Sequence, residues 1–342
     1  MKKRIISIVA IVIVILIAGF FIIRNYWVDE KKKIQFSQER VFNISLDTVG
    51  SIPVGFSCSK LSELGDTALL LENNNEKSIT IIDTSGRILL KMGNEGEGPA
   101  EFKMISSLDA DTSGIFATDA VKHSISKFDW NGNLISNYSL PRELSRAVRV
   151  KQEEFLIQST ESNNKEGVLS FIWTDGISQK VNKEGLFADV FPAKGSTGLI
   201  YDGFFARNTN GSIVYTCYQT NDFFGVDRDL NLLFKAKFVY STPLPVINET
   251  GDIKFIESSY IGVSSVSVDS KYIYVMTNIG DKKHPGTRII DMYDLVNGKY
   301  SSSFAAPVLD GEIPSDMYKG KDLLYFVYQN RIVKFKPSFL KS

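Results

Sequence analysis

One pattern constrains this chain more than any other. An apolar strand ends in Asp, a turn follows, and a second strand begins. It reads Ile81-Ile82-Asp83 with Gly86, Lys127-Phe128-Asp129 with Gly132, Trp173-Thr174-Asp175 with Gly176, Gly225-Val226-Asp227 with Asn231, and Met292-Tyr293-Asp294 with Gly298. A degenerate further copy is Val333-Lys334-Phe335-Lys336. Successive aspartates stand 46, 46, 52 and 67 residues apart. The chemistry is that of a hairpin: Asp caps the turn through its own backbone, and Gly or Asn supplies the positive φ that a tight turn needs.

Pro53, Pro99, Pro141, Pro192, Pro243 and Pro307 fall between one copy and the next, where a residue that cannot donate to a ladder belongs. A period of about 45–50 residues with four short strands is the size of one propeller blade. Counted with their inner strands, the repeats run over 56–98, 103–140, 143–190, 199–242, 260–306 and 312–336. The last has room for three strands only. Arg40–Leu46 reads as one more strand that completes the last blade and closes the ring, leaving no open edge. The expected fold is all-β: a six-bladed β-propeller of four-stranded antiparallel blades over residues 40–342.

The first residues read differently. Ile5 to Ile23 is an apolar run of 19 residues broken by Ser7, which as a helix spans roughly 28 Å, close to a bilayer's hydrocarbon core. Lys2, Lys3 and Arg4 precede it and place the N-terminus in the cytoplasm, with Tyr26 and Trp27 at the far interface. No small-residue cleavage site and no nearby cysteine follow, so an uncleaved anchor (residues 1–27) is expected over a signal peptide or a lipoprotein. Residues 28–39 are polar and read as a juxtamembrane linker. The lipid bilayer is thus one expected partner, through residues 5–23.

Charge separates the same two parts. Residues 1–33 carry +5 and the remainder −5, so the β domain lacks the basic footprint that nucleic acid requires. Cys58 and Cys217 are the only cysteines, and two buried free thiols are expected rather than a bridge. His123 and His284 are too few for a histidine metal site, and there is no G-x-S-x-G elbow, H-E-x-x-H or Walker loop. Asp109-x-Asp111 and Asp227-x-Asp229 are the pairs that could hold a divalent cation such as calcium. Turn carboxylates are far commoner than such sites, so no cofactor is expected.

The most specific stretch is Gly93-Asn94-Glu95-Gly96-Glu97-Gly98-Pro99-Ala100-Glu101-Phe102. It resembles the G-x-x-G-x-G-P-x-E-F signature of six-bladed β-propeller proteins common in Bacteroidetes, relatives of the NHL-repeat propellers. Gly114 to Asp119, followed by Lys122 to Asp129 and Gly132, is similar to an NHL repeat, with Ser124 where those usually carry Arg. The resemblance implies an exported envelope protein. Without a lipobox cysteine it implies inner-membrane anchoring, with the propeller in the periplasm. Gly93, Gly96, Gly98, Pro99, Glu101 and Phe102 form the candidate loop. They are expected to be structural, with Gly96 and Gly98 permitting a sharp blade-to-blade crossing, Pro99 fixing its exit, Glu101 accepting free N–H groups and Phe102 plugging between blades. The expected function is a binding or scaffold module for a protein, peptide or glycan. The alternative is a propeller hydrolase or lactonase with metal-bound carboxylates at the channel mouth, contributed by different blades.

Overall fold

The computed structural model describes residues 34–339 apart from 66, 141–143, 164–165, 179, 188, 192–199, 244–245, 248–252 and 255–260. The apolar run Ile5–Ile23 and most of the linker lie outside the described residues, as do Pro141 and Pro192. No helix among the described residues is long and apolar enough to cross a membrane.

Six four-stranded antiparallel sheets follow one another along the chain. Blade 1 is Cys58–Leu64, Ala68–Asn73, Ser78–Asp83 and Ile88–Met92, and blade 2 is Ile105–Asp111, Gly114–Asp119, Ser124–Phe128 and Leu134–Ser139. Blade 3 runs from Leu144 to Leu186, with second and third strands of ten residues each (Glu154–Asn163, Glu166–Asp175). Blade 4 runs from Gly203 to Lys237 and blade 5 from Val263 to Ala305. A two-stranded hairpin, Val246–Ile247 with Ile253–Lys254, stands between them and explains the longest spacing in the sequence. Blade 6 has Asp316–Lys319, Leu324–Val327 and Arg331–Phe339 from the end of the chain.

Its fourth strand comes from the beginning. Ile44–Pro53 pairs antiparallel with Arg331–Phe339, from Ile44 opposite Phe339 to Pro53 opposite Arg331. The closing strand therefore starts four residues later than Arg40 and runs on to Pro53. The preceding residues do separate work. Gln35–Phe36 pairs with Tyr240–Ser241 at the end of blade 4. Phe42 bridges Ser303 on the outer strand of blade 5. Between them Arg40 is fully buried: Nε and Nη2 donate to Asp291 at 2.9 and 2.8 Å, and Nη1 donates to the carbonyls of Ile279 and Gly280. The guanidinium lies over the rings of Phe36 and Tyr240.

The core is divided into six clusters, each sandwiched between two adjacent blades. This accounts for the sequence pattern. Middle strands such as Gly114–Asp119, Ser124–Phe128 and Ile213–Cys217 are buried at every residue because both faces meet a neighbouring blade, so they read as continuous runs. Outer strands such as Ile88–Met92 are mostly exposed.

The aspartate turns form as the repeat implies. Asp83 accepts the N–H groups of Ser85 and Arg87, Asp129 those of Asn131 and Asn133, and Asp294 those of Val296 and Asn297. Gly86, Gly132 and Gly298 take the left-handed conformation. Two copies differ. In blade 4 it is Leu230, not Asn231, that has positive φ (62°); its side chain is drawn into the core between blades 3 and 4. In blade 3 Gly176 does not have positive φ. A Cβ there would meet the Glu153 carbonyl at 3.0 Å and the Phe155 ring at 2.8 Å, so its role is close packing.

Candidate functional site

Gly93–Phe102 joins the outer strand of blade 1 to the inner strand of blade 2. Phe102 is fully buried among Leu70, Ile79, Met92, Ile105, Ile115 and Phe128, in the core shared by those blades. Its N–H donates to the Asn94 carbonyl at 2.8 Å, folding the loop back on itself. Glu101 Oε2 accepts the Gly98 N–H at 2.7 Å and Oε1 accepts Asn94 Nδ2 at 3.3 Å. Chiefly the Gly98 N–H, then Asn94, holds this carboxyl below its ordinary range. Lys122 Nζ donates to the carbonyls of Gly98 and Glu101, and Asn137 Nδ2 to that of Pro99.

The glycines divide the labour differently from expectation. Gly93 makes the left-handed turn (φ 68°), and a Cβ there would lie 2.5 Å from the Phe102 ring. Gly96 and Gly98 have no positive φ; they leave room for the Glu101 carboxylate, which a Cβ would meet at 2.0 and 3.1 Å. None of the ten loop residues lines the central channel. His123 has positive φ and its Nδ1 accepts the Leu144 N–H, tying blade 2 to the start of blade 3. His284 packs its ring on Phe42 at 4.2 Å between centroids. Neither histidine lines the channel.

The side chains that line the central channel are not legible in the sequence. The six inner strands surround a cavity of about 820 Å³. Its wall is rich in serine and carries Lys60, Arg146 and Arg207 against Glu63, Asp109, Asp111 and Asp316. Phe204, Phe205 and Tyr218 supply aromatic surface on one side. A register shift in the inner strand of blade 1, with Lys60 at positive φ, aims the Lys60 N–H at Asp316 Oδ2, 2.9 Å away. Ser265 Oγ donates to the other oxygen at 2.5 Å. Burial pushes the Asp316 carboxyl up, against these hydrogen bonds. Cys58 also lines the wall; burial, then the Asp316 charge, pushes its thiol up to about 12, which suppresses thiolate chemistry. Both cysteines are buried and unbridged.

Asp109 and Asp111 do not face an open metal site. Arg149 Nε donates to Asp109 at 3.1 Å and Arg149 Nη1 to Asp111, while Arg207 Nη1 reaches Asp109 at 3.4 Å. Burial opposes the Arg149 charge and the two carboxylates outweigh it. Arg207 has less support: burial, with Arg149 adding repulsion, leaves its pKa lowered. Asp227 is occupied with its own turn, accepting Asp229 N–H and Asn231 N–H and Nδ2. Among the described residues no three His, Cys, Asp or Glu side chains are grouped to hold a metal. Arg146 sits apart: Nη1 donates to the Ser106 carbonyl at 3.2 Å, and its guanidinium lies 5.1 and 5.2 Å from the ring centroids of Phe204 and Tyr218.

Six sandwiched cores around a channel define a six-bladed β-propeller. Residues 22–185, which take in the first three blades, match the profile of a family described as "6-bladed beta-propeller", DUF5128. Among solved structures, a Bacteroides fragilis protein named as exported is similar at 12% identity and TM-score 0.60, over 90% of this chain and 98% of that one. A member of the DUF4221 family from Bacteroides vulgatus is similar at 14% identity and TM-score 0.55, over 87% and 99%. An inactive histidine-to-alanine variant of virginiamycin B lyase from Staphylococcus aureus, solved with quinupristin, is similar at 13% identity and TM-score 0.50, over 86% and 99%. No curated protein matches the chain. The resemblance carried by Gly93–Phe102 stands: the chain is a six-bladed β-propeller with Bacteroides proteins, one of them named as exported, among its structural relatives.

Proposed function

We propose that this protein is a membrane-anchored, extracytoplasmic binding module that receives its ligand in the central channel. The observation that carries the reading is the cavity: about 820 Å³, within the range of small-ligand sites, with polar, charged and aromatic groups converging from six blades. The apolar run Ile5–Ile23 and its Lys2-Lys3-Arg4 flank support the anchor, and the exported relative supports the far side of the membrane.

The catalytic alternative has less support. The lyase relative is inactivated by loss of a histidine, whereas both histidines of this chain lie away from the channel. A calcium or other divalent cation at Asp109 and Asp111 would have to displace Arg149.

Two measurements test the proposal. Protease added outside intact spheroplasts should digest or release the β domain; full protection refutes the topology. Detergent-solubilised full-length chain should be stabilised by its ligand in a thermal-shift screen of peptides and glycans without consuming it. Turnover of the stabilising compound refutes the binding-module reading.

A further inference from the structure

The chain reaches the propeller by a short route. Ile34 packs on the core shared by blades 4 and 5, Gln35–Phe36 pairs with Tyr240–Ser241, and the Ser37 N–H donates to the Val239 carbonyl at 2.9 Å. Glu39 Oε1 then accepts Lys283 Nζ at 2.7 Å, and Arg40 Nη1 donates to the Ile279 and Gly280 carbonyls. These residues are fixed to one rim of the ring: the crossing from blade 4 to blade 5, and the loop 280–288 between the second and third strands of blade 5. From Trp27 to Ile34 the chain takes seven peptide steps, which span at most about 25 Å. With Ile5–Ile23 in the bilayer and Trp27 at its interface, this rim is held within that distance of the headgroups.

The surface beside it suits that neighbour. Phe36 and Ile261 are 44% and 57% exposed. Both adjoin Tyr240: Phe36 pairs with it, and a Cβ on Gly262, next to Ile261, would lie 3.2 Å from its ring. Asn278, which leads into the loop, donates from Nδ2 to the Ile261 carbonyl at 2.7 Å. In the loop Lys282, Lys283 and Arg288 outnumber Asp281 and the neighbouring Glu39. Glu39 occupies Lys283, while Lys282 is exposed and has no ion-pair partner among the described residues. Exposed apolar side chains are scattered over the domain and singly need no partner; the tether singles out these two. Apolar side chains beside lysines fit the headgroup boundary, where the apolar groups enter and the ammonium meets phosphate. So small a patch would not hold a free protein on a membrane, but a short tether gives it a high local concentration.

We infer that the rim of blades 4 and 5, through Phe36, Ile261 and Lys282, rests on the phospholipid headgroups of the bilayer that holds the chain's own anchor. This rests on the membrane-anchored part of the proposed function and adds the face of the propeller turned to the membrane.

The test places the full-length chain in phospholipid nanodiscs made with and without a lipid spin-labelled at the headgroup. A fluorophore is attached at Pro285→Cys, exposed in the 280–288 loop, or at Ile177→Cys as the control. Ile177 is 72% exposed in the turn between the third and fourth strands of blade 3. Such turns lie at the opposite end of the strands from the crossings between blades. Cys58 and Cys217 are buried and stay unlabelled. The spin label should remove most of the emission at Pro285→Cys and little at Ile177→Cys. Phe36→Ser, Ile261→Ser and Lys282→Glu together should abolish most of that quenching with an unchanged melting temperature. A flexible Gly/Ser insertion of about ten residues after Lys33 should leave it largely intact, because the patch itself makes the contact. Equal quenching at the two positions overturns the inference, as does undiminished quenching in the triple variant. Loss of quenching with the longer tether would show proximity without contact and overturns it too. If the chain stays with the discs and only the Pro285→Cys signal is missing, the inference falls and the anchor stands. If the chain leaves the discs once detergent is removed, the anchor falls and the inference with it.

Discussion

Phe102 and Glu101 are adjacent in the chain and contribute differently. Phe102 fills a fully buried site between two blades, so Phe102→Ala should cost about 3–5 kcal/mol in chemical denaturation. Glu101→Gln keeps an acceptor for the Gly98 N–H and should cost far less in the same measurement. Equal losses would refute the division. Gly and Pro spacing made this loop legible as a crossing. It did not reveal that Gly96 and Gly98 are small for the sake of Glu101, because that contact forms only once the loop has folded back. The turn aspartates carry a pH signature. Hydrogen bonds, Ser85 Oγ first, lower the Asp83 carboxyl to about 2. A depressed carboxyl stabilises the fold fully above its unfolded value of about 3.9 and loses that contribution as pH falls through the folded one. Melting temperature should therefore fall between about pH 4 and 2, and Asp83→Asn should make the fall shallower. An identical slope in the variant would rule out this assignment.

At the scale of elements, the N-terminal segment is two devices in sequence: a strap over blades 4 and 5, then the closing strand. The expected closing strand, Arg40–Leu46, takes in four residues of the strap and only the first three of the closing strand, Ile44–Leu46. The true closing strand is the outermost of its blade and buries few residues, so its apolar pattern is weak. Removing one partner of the buried Arg40–Asp291 pair leaves an uncompensated charge. Arg40→Met or Asp291→Leu alone should cost about 3–5 kcal/mol, and the double variant should recover much of the loss. A double variant as unstable as the sum of the singles would show that the pair is not coupled. Deleting residues up to Pro53 should expose the edge of Arg331–Phe339 and produce concentration-dependent association by light scattering.

Across the whole molecule, the period was readable because each blade repeats one unit. The channel's lining was not, because its wall draws on inner strands far apart in the chain; Arg207 and Asp109 meet across 98 residues. In the sequence Asp109 and Asp111 could have held a cation, and only the fold could supply the Arg149 that occupies them. The division of the core between blades also makes stability testable as one property. Cys58 lies between blades 6 and 1, and Cys217 between blades 3 and 4. Both thiols should be silent to a disulfide reagent in the native protein and should react at one shared midpoint as denaturant is raised. Separate midpoints would mean that the ring opens in parts.

Closing a ring with its two ends sets an order of events during synthesis. Ile44–Pro53 is made early, and its partner Arg331–Phe339 follows after about 280 residues, roughly 15–60 seconds at ordinary translation rates. For that interval the first strand presents bare N–H and C=O groups beside a growing set of blades. The nascent protein is therefore most exposed to wrong pairing just before the nine-residue strand Arg331–Phe339 arrives. A chain stopped short of Arg331 would have no mate for its first strand, and proteolysis should clear it faster than a chain carrying a core substitution of equal thermodynamic cost.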